Sequence, residues 1–152
     1  QVISVASDAH KPTPLRIDDL MSEHGYRTFT VYGRSKGANL HFIYELARRA
    51  KGTRLRANAL HPGGVATGIS QNNGPLASFA MRLLRPFFLT PEKAAETPIW
   101  MATDPALDGV SGRYFAKKAE IKSSASTYDM AMSSELWRRS EVLTSFTWPA
   151  IA

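Results

Sequence analysis

Residues 32–64 decide the fold of this chain, and they read YGRSKGANLHFIYELARRAKGTRLRANALHPGG. From Tyr32 to Ala50 the apolar side chains recur at helical spacing, and Gly52 stands where the C-terminal cap of a helix belongs. From Arg54 to Leu60 apolar and polar residues alternate, as they do in a strand, and the following HPGG ends it. An apolar run from Val2 to Ser7 predicts an earlier strand. Strand, helix and strand in this order predict a parallel crossover and therefore an α/β fold.

The rest of the chain predicts shorter elements. Thr90 is a good helix N-cap and precedes a proline, so we expect a helix from there to about Thr103. Residues 113–115 predict a short strand, and residues 134–139 predict a last helix that begins with a capping serine. The segment from Ile69 to Leu89 becomes amphipathic after a polar start, which fits a lid over a substrate or ordinary core packing. We expect one domain, without an internal repeat or linker.

Composition narrows the class of protein. The chain has 152 residues, of which 43% are hydrophobic, and this is enough for one core. It has no cysteine, which excludes disulfides and thiolate metal sites, and its four histidines lack the paired spacing of a zinc site. We therefore expect no metal. No apolar run approaches the ~20 residues that span a bilayer, so we expect no membrane partner and a cytoplasmic location.

The net charge of +6 raises the question of nucleic acid binding. A basic cluster lies at the end of the predicted helix and consists of Arg48, Arg49, Lys51, Arg54 and Arg56. The helix macrodipole favours cations at this end, and no aromatic side chain is interleaved to stack on bases. We therefore expect no nucleic acid partner.

Tyr32 and Lys36 are the first candidates for chemistry. They are four residues apart on the predicted helix, so they share one face. An isolated phenol ionises near pH ~10, and a neighbouring ammonium stabilises the phenolate. The pair can therefore exchange a proton near neutral pH, although the same spacing also arises by chance.

A serine hydrolase is an alternative. Gly33 to Gly37 matches the G-x-S-x-G elbow with Ser35 as nucleophile, and the strand-like residues 28–31 precede it. A hydrolase triad has the order serine, acid, histidine, yet only Glu45 lies between Ser35 and the last histidine, His61. Glu45 sits in the middle of the helix that Ser35 would open, so we do not expect this triad to assemble.

Ser7, Asp8 and His10 form a second candidate triad. They are too close in sequence, because the members of a triad usually come from separate elements. Asp8 and His10 are better interpreted as loop residues. Ser7 lies at the end of a predicted strand, where open α/β sheets bind ligands, although it could also cap a turn.

Several motifs follow one another in a fixed order. They are Ser7 at a strand end, Tyr32-x-x-x-Lys36, Ser35-Lys-Gly-Ala-Asn39, Asn58-Ala-Leu-His-Pro-Gly63, His61-Pro-Gly-Gly-Val-Ala-Thr67, Gly112-Arg-Tyr-Phe115 and Leu136-Trp137. Together they resemble the C-terminal half of a short-chain dehydrogenase/reductase, and more narrowly its retinol-dehydrogenase-like branch. The resemblance covers almost the whole chain and implies an incomplete Rossmann-type fold with a doubly wound parallel sheet.

The resemblance also implies an activity, namely hydride transfer between NAD(P) and a carbonyl or alcohol. Tyr32 would be the general acid or base, and Lys36 would stabilise its phenolate and bind the nicotinamide ribose. Ser7 would bind the same substrate oxygen. The residues implied in cofactor binding are Tyr32, Lys36, Pro62, Gly63, Val65 and Thr67. Asn39 is interpreted as structural.

The chain departs from the family pattern in what it lacks. No G-x-G-x-x-G occurs, and the family's usual catalytic asparagine on the preceding helix is missing. The chain also begins at Gln1 without an initiator methionine. We therefore expect residues 1–152 to be the catalytic, substrate-binding half of one domain, without the dinucleotide-binding half and with little or no activity alone.

The resemblance leaves the partners open in part. The apolar residues between Ile69 and Leu89 hint at a small hydrophobic carbonyl or alcohol as substrate. Relatives often dimerise through the helix predicted from Tyr32 to Ala50, which makes a homodimer a candidate assembly. Since a fold does not fix a function, a non-catalytic binding or dimerisation module is the competing class.

Overall fold

The computed structural model of the protein describes residues 1–64 and 89–149. Its strands and longer helices, in chain order, are β1 (Val2–Val5), α1 (Thr28–Arg49), β2 (Ala57–Leu60), α2 (Pro91–Thr103), β3 (Tyr114–Ala116), β4 (Ala119–Ile121) and α3 (Met130–Thr144). Short 3-10 helical turns lie at Asp8–His10, Ile17–Asp19, Pro105–Leu107 and Ala125–Tyr128. Among these described residues, no helix has both the length and the apolar character needed to cross a membrane.

The strands form one sheet in the order β1-β2-β3-β4. β1 runs parallel to β2, from Val2 opposite Ala57 to Val5 opposite Leu60, and β2 runs parallel to β3. β1, α1 and β2 are therefore the crossover that the sequence predicted. β4 pairs with β3 in the antiparallel direction. The carboxyl ends of the three parallel strands lie at one edge of the sheet.

Helices cover both faces of this sheet. On one face, α1 packs against the strands and α3 packs against α1, and the buried members of this core are Ala6, Leu40, Ile43, Leu46, Ala57, Ala59, Tyr114 and Trp137. On the other face lie α2 and the turn after it, and the buried members are Leu60, Met101, Leu107 and Phe115. Neighbouring strand residues such as Tyr114 and Phe115 point to opposite faces, as the period of a strand requires. The fold is α/β of the Rossmann type, which confirms the prediction.

α1 begins four residues before the predicted start. Residues 28–31, which the sequence indicated as strand-like, form its first turn, so that prediction is wrong. Threonine, phenylalanine and valine favour strands locally, but adding one turn to a helix of 22 residues costs little, because only the nucleation of a helix is costly. Arg27 at the N-cap makes no side-chain capping bond, so the sequence carried no start signal there.

The other helices match the sequence to different degrees. α2 begins after Thr90, whose hydroxyl accepts a hydrogen bond from the amide of Lys93, and ends at Thr103, as predicted. α3 begins four residues before the predicted Ser134. Its cap is Asp129, which accepts a hydrogen bond from the amide of Met132 at 3.0 Å. The predicted helix was therefore correct in kind and too short.

β4 is an addition to the predicted parallel sheet. It follows β3 through a turn at Lys117 and Lys118, whose φ angles are 50° and 59°. Two positive φ angles in a two-residue loop are the requirement of a type I′ hairpin turn, which usually contains Asn-Gly. Because two lysines occupy this turn, no residue pattern in the sequence predicts the hairpin.

A buried carboxylate holds α1 against α3. The Glu45 side chain is 1% exposed and accepts hydrogen bonds from Arg48 at 2.6 and 2.9 Å and from Arg49 at 2.6 Å. The Ser134 hydroxyl on α3 donates to it at 3.3 Å, and the Arg49 guanidinium lies 4.6 Å from the Trp137 ring centre. Burial raises the pKa of Glu45, but the bonds from the two arginines outweigh this and hold the pKa below its usual value.

Candidate functional site

The carboxyl end of β1 receives two side chains from α1. Val5 is the last residue of β1, and its carbonyl accepts hydrogen bonds from Lys36 Nζ at 3.2 Å and from Asn39 Nδ2 at 3.3 Å. These bonds fix the middle of α1 to the strand end, two residues before Ser7. Asn39 was interpreted from the sequence as structural, and its hydrogen bond to the Val5 carbonyl links α1 to the end of β1.

Tyr32 and Lys36 lie side by side on α1. The Lys36 ammonium is 5.5 Å from the centre of the Tyr32 ring, as the spacing predicted. Tyr32 is 36% exposed, so its ring is partly open to solvent. The helix therefore carries a phenol and an ammonium together to the sheet edge where β1 ends.

Ser7 begins the 3-10 turn Asp8–His10 with an extended backbone, φ −162° and ψ 149°. Its Oγ accepts a hydrogen bond from the amide of Ala9 at 3.3 Å, so Ser7 does cap a turn. Accepting a bond uses a lone pair of the hydroxyl and not its hydrogen. Capping and donation to a substrate oxygen are therefore compatible in the same side chain.

Gly33 sets the distance between α1 and this turn. A Cβ at Gly33 would lie 2.0 Å from Thr13 Oγ1 and 2.3 Å from the carbonyl oxygen of Ala9. The Thr13 hydroxyl also donates to that same carbonyl at 2.8 Å. α1 can therefore approach the turn only because the residue after Tyr32 has no side chain.

A polar cluster behind Ser7 was not predicted. Asp8 accepts hydrogen bonds from the buried Tyr114 hydroxyl at 3.2 Å and from Lys11 at 2.8 Å. Partial burial raises the pKa of Asp8, but the bond from Lys11 and the nearby His61 outweigh this and lower it. Burial lowers the pKa of His61 and raises that of Tyr114. Asp8 therefore stays ionised and holds β3 to the turn.

The segment after β2 is described up to Gly64. Gly63 has a φ of 90°, and a Cβ there would meet Leu89 Cδ1 at 2.7 Å. The Leu89 amide donates to the Gly64 carbonyl at 2.7 Å, so positions 64 and 89 are held together. Val65, Thr67 and the predicted lid up to position 88 lie outside the described residues.

Ser35 has no features of a nucleophile elbow. It lies inside α1 and not on a strand-to-helix turn, and its hydroxyl donates to the Tyr32 carbonyl at 2.7 Å. Glu45 binds Arg48 and Arg49 on the same helix. The geometry therefore gives no support to a serine hydrolase at this position.

Comparisons with known proteins identify the family. Human retinol dehydrogenase 14 is 38% identical over 152 residues, which covers 94% of this chain and 44% of that protein. Human polyprenol dehydrogenase is 35% identical over 147 residues, which covers 95% of this chain and 44% of that protein. The chain belongs to the short-chain dehydrogenase/reductase family.

Other comparisons fit this family and set its limits. The crystal structure of an uncharacterised protein from Mycobacterium paratuberculosis superposes on this dehydrogenase-family chain with a TM-score of 0.71 at 29% identity. The matched region covers 97% of this chain and 51% of the chain in that crystal structure. No protein-family model matches the chain. The chain spans less than half the length of the curated relatives named above.

Proposed function

We propose that the whole protein is an NAD(P)-dependent oxidoreductase that interconverts an alcohol and a carbonyl compound, with Tyr32 as general acid or base. The observation that carries the proposal is the position of Lys36. Its ammonium lies 5.5 Å from the Tyr32 ring centre and 3.2 Å from the carbonyl that ends β1. This geometry brings a phenol and a cation to the edge where open α/β sheets bind ligands.

The described residues are compatible with a nicotinamide cofactor. Lys36 offers an ammonium for ribose hydroxyls at the sheet edge, and Pro62 and Gly63 bring backbone without bulky side chains to the end of β2. We propose as the cofactor-binding set Tyr32, Lys36, Pro62, Gly63, Val65 and Thr67. When bound, the cofactor supplies or takes up the hydride.

The protein's own contribution is proton transfer and orientation. In reduction, the Tyr32 hydroxyl gives its proton to the substrate oxygen, and in oxidation it takes the alcohol proton. The Lys36 ammonium stabilises the phenolate that this leaves. The Ser7 hydroxyl donates a hydrogen bond to the same substrate oxygen, which orients the substrate and stabilises negative charge on that oxygen.

An apolar substrate fits the start of α1. The side chains of Tyr26 and Phe29 are 66% and 67% exposed there, and Phe29 lies three positions before Tyr32, on the same face of the helix. The names of the relatives, retinol dehydrogenase and polyprenol dehydrogenase, point to hydrophobic alcohols. We propose a small hydrophobic alcohol or carbonyl compound as the substrate.

Two further proposals concern the state of the protein. Residues 1–152 alone should be inactive, because the sequence contains no glycine-rich phosphate-binding turn. Phe42 on α1 stacks on Trp137 of α3, with ring centres 5.4 Å apart, so α3 already covers this part of α1. A homodimer through the helix Tyr32 to Ala50 would use the part of α1 that α3 leaves uncovered.

The contact of Tyr32 with Lys36 favours an enzyme over a non-catalytic module.

The proposal is tested by assaying the whole protein with retinol as a probe alcohol and with NAD⁺ or NADP⁺, following nicotinamide absorbance. We expect saturable turnover. Lys36→Met should lower kcat/KM at least about tenfold, because the phenolate and the cofactor both lose a cation. Lys51→Met, an exposed lysine beyond the far end of α1, is the control.

Two outcomes would contradict parts of this proposal. Absence of nicotinamide reduction with retinol and with simpler apolar alcohols would reject the oxidoreductase. Saturable turnover by residues 1–152 alone would reject the need for a further dinucleotide-binding half.

A further inference from the structure

His10 fastens the turn that follows β1. Its side chain is buried, with 1% of the residue exposed. Nδ1 lies 2.6 Å from the carbonyl oxygen of Ser7, and Nε2 accepts a hydrogen bond from the amide of Ser124 at 3.0 Å. The ring meets Tyr114 edge-on, with centres 5.8 Å apart. One imidazole therefore joins the end of β1 to the loop after β4.

These two contacts fix the tautomer of His10. A backbone amide can only donate, so Nε2 carries the lone pair. A backbone carbonyl can only accept, so Nδ1 carries the proton. Both nitrogens of the ring are therefore bound to backbone. Because both nitrogens bind backbone groups, neither is available to a substrate, and His10 can affect the site only by positioning the backbone that it binds.

We infer that His10 is a positioning residue for Ser7. This inference rests on the proposed catalytic role of Ser7. The cap from Ser7 Oγ to Ala9 is long, at 3.3 Å, and constrains the hydroxyl weakly. The bond from His10 is short and fixes the peptide plane that follows Ser7, and thereby the direction of its Cα–Cβ bond. Orientation of this kind affects kcat more than binding.

Two substitutions at His10 separate its two bonds. Asparagine keeps a donor near the place of Nδ1, whereas glutamine keeps an acceptor near the place of Nε2. In the whole protein, His10→Asn should keep kcat for retinol oxidation within about threefold, and His10→Gln should lower kcat on the order of tenfold with KM nearly unchanged. Equal kcat values in the two variants would overturn the inference.

A double-mutant cycle tests whether His10 acts through Ser7. Ser7→Ala should lower kcat on the order of a hundredfold, and adding His10→Gln should then change it less than about twofold. Additive losses would overturn the inference. If Ser7→Ala itself has no effect, the proposed role of Ser7 fails. If Ser7→Ala is inactive but His10→Gln matches the wild type, only the inference fails.

His41 provides the matched control. It is also 1% exposed, and its Nδ1 lies 2.8 Å from the Ser133 hydroxyl on α3, on a different part of α1 from Tyr32. His41→Asn and His41→Gln should lower the melting temperature and leave kcat unchanged. A drop in kcat for these variants that equals the drop for His10→Gln would show a general loss of packing and overturn the inference.

Substitutions at Ser124 decide the question if the His10 variants fail to fold. Ser124 has a φ of −63°, which proline adopts, so Ser124→Pro removes the amide donor with little strain. Ser124→Pro should lower kcat more than about threefold, because the proton of the His10 ring is no longer held on Nδ1, a dependence that the amide of His10→Asn does not have. Ser124→Ala, which keeps the backbone amide, should leave kcat unchanged. NMR of the histidine ring should show the proton on Nδ1, and a proton on Nε2 alone would overturn the inference.

Discussion

At the scale of the residue, Gly33 makes the most specific demand on the site. A Cβ there would collide with Thr13 Oγ1 at 2.0 Å and with the Ala9 carbonyl at 2.3 Å, and that carbonyl belongs to the turn behind Ser7. Gly33→Ala should therefore lower the free energy of unfolding by about 1–3 kcal/mol and also lower kcat, because Tyr32 is pushed from the turn. Urea denaturation and the alcohol-oxidation assay measure the two effects.

Gly37 is the control for this prediction. A Cβ there would meet only His10 Cβ at 3.8 Å, an ordinary contact, and Gly37 lies inside the same helix. Gly37→Ala should therefore raise the free energy of unfolding by about 0.5–1 kcal/mol. A Gly33→Ala variant that is as stable as Gly37→Ala would contradict the close approach of α1 to the turn.

Some of these residues could be predicted from the sequence and others could not. The pairing of Tyr32 with Lys36 follows from helical spacing alone. The need for glycine at position 33 depends on Thr13, which lies 20 residues away in sequence, so no local pattern reveals it. The G-x-S-x-G match around Ser35 includes Gly33, whose role in the structure is the close packing of α1 against the turn.

At the scale of the element, Glu45 couples α1 to α3 in a pH-dependent way. Its pKa is lowered in the folded protein, so the ionised carboxylate contributes stability above its ordinary pKa of 4.5. That contribution is lost as the pH falls through the lower, folded pKa. Glu45→Gln should cost about 2 kcal/mol at neutral pH, and the difference from the wild type should shrink below about pH 4.5. Thermal melts across pH measure it.

Glu135 supplies a matched control on α3. It has the same spacing to two arginines, Arg138 and Arg139, which lower its pKa to about 2 through their hydrogen bonds. The Glu135 side chain is 34% exposed, against 1% for Glu45, so Glu135→Gln should cost clearly less stability than Glu45→Gln. Equal costs would contradict the importance of burial in the α1–α3 contact.

The hairpin of β3 and β4 carries a local conformational cost. Lys117 has a φ of 50°, which side-chain-bearing residues adopt reluctantly. Lys117→Gly should raise the free energy of unfolding by about 0.5–1 kcal/mol. Lys122→Gly, which removes the same charge outside the turn, should not. Chemical denaturation of both variants decides, and a loss of stability in Lys117→Gly would contradict the turn type.

Prediction at the scale of elements succeeded where the periodic pattern was long. The body of α1 and the whole of α2 were predicted because their apolar spacing or capping residues are explicit. The first turn of α1 and the strand β4 were not. In the first case local strand propensity opposed the extension of a long helix, and in the second a short exposed strand followed a turn without Asn or Gly.

At the scale of the whole molecule, the parallel crossover assembles the candidate site. β1 ends at Val5, and α1 returns Lys36 to that end while both helix layers cover the sheet. The order of elements in the sequence was sufficient to predict this architecture. The contacts of Val65 and Thr67 remain predictions, because they lie outside the described residues.

The most direct test of the proposed mechanism is the kcat of Tyr32→Phe in the whole protein, with retinol as substrate. This change removes only the hydroxyl that is proposed to exchange the proton. We expect kcat to fall by a factor on the order of a thousand, while the Kd of the nicotinamide cofactor changes less than about threefold. Tyr26→Phe keeps the exposed aromatic ring that is proposed to face the substrate and removes a hydroxyl that has no part in the proposed proton transfer, so it should keep the wild-type kcat. A Tyr32→Phe variant with wild-type kcat would contradict the account.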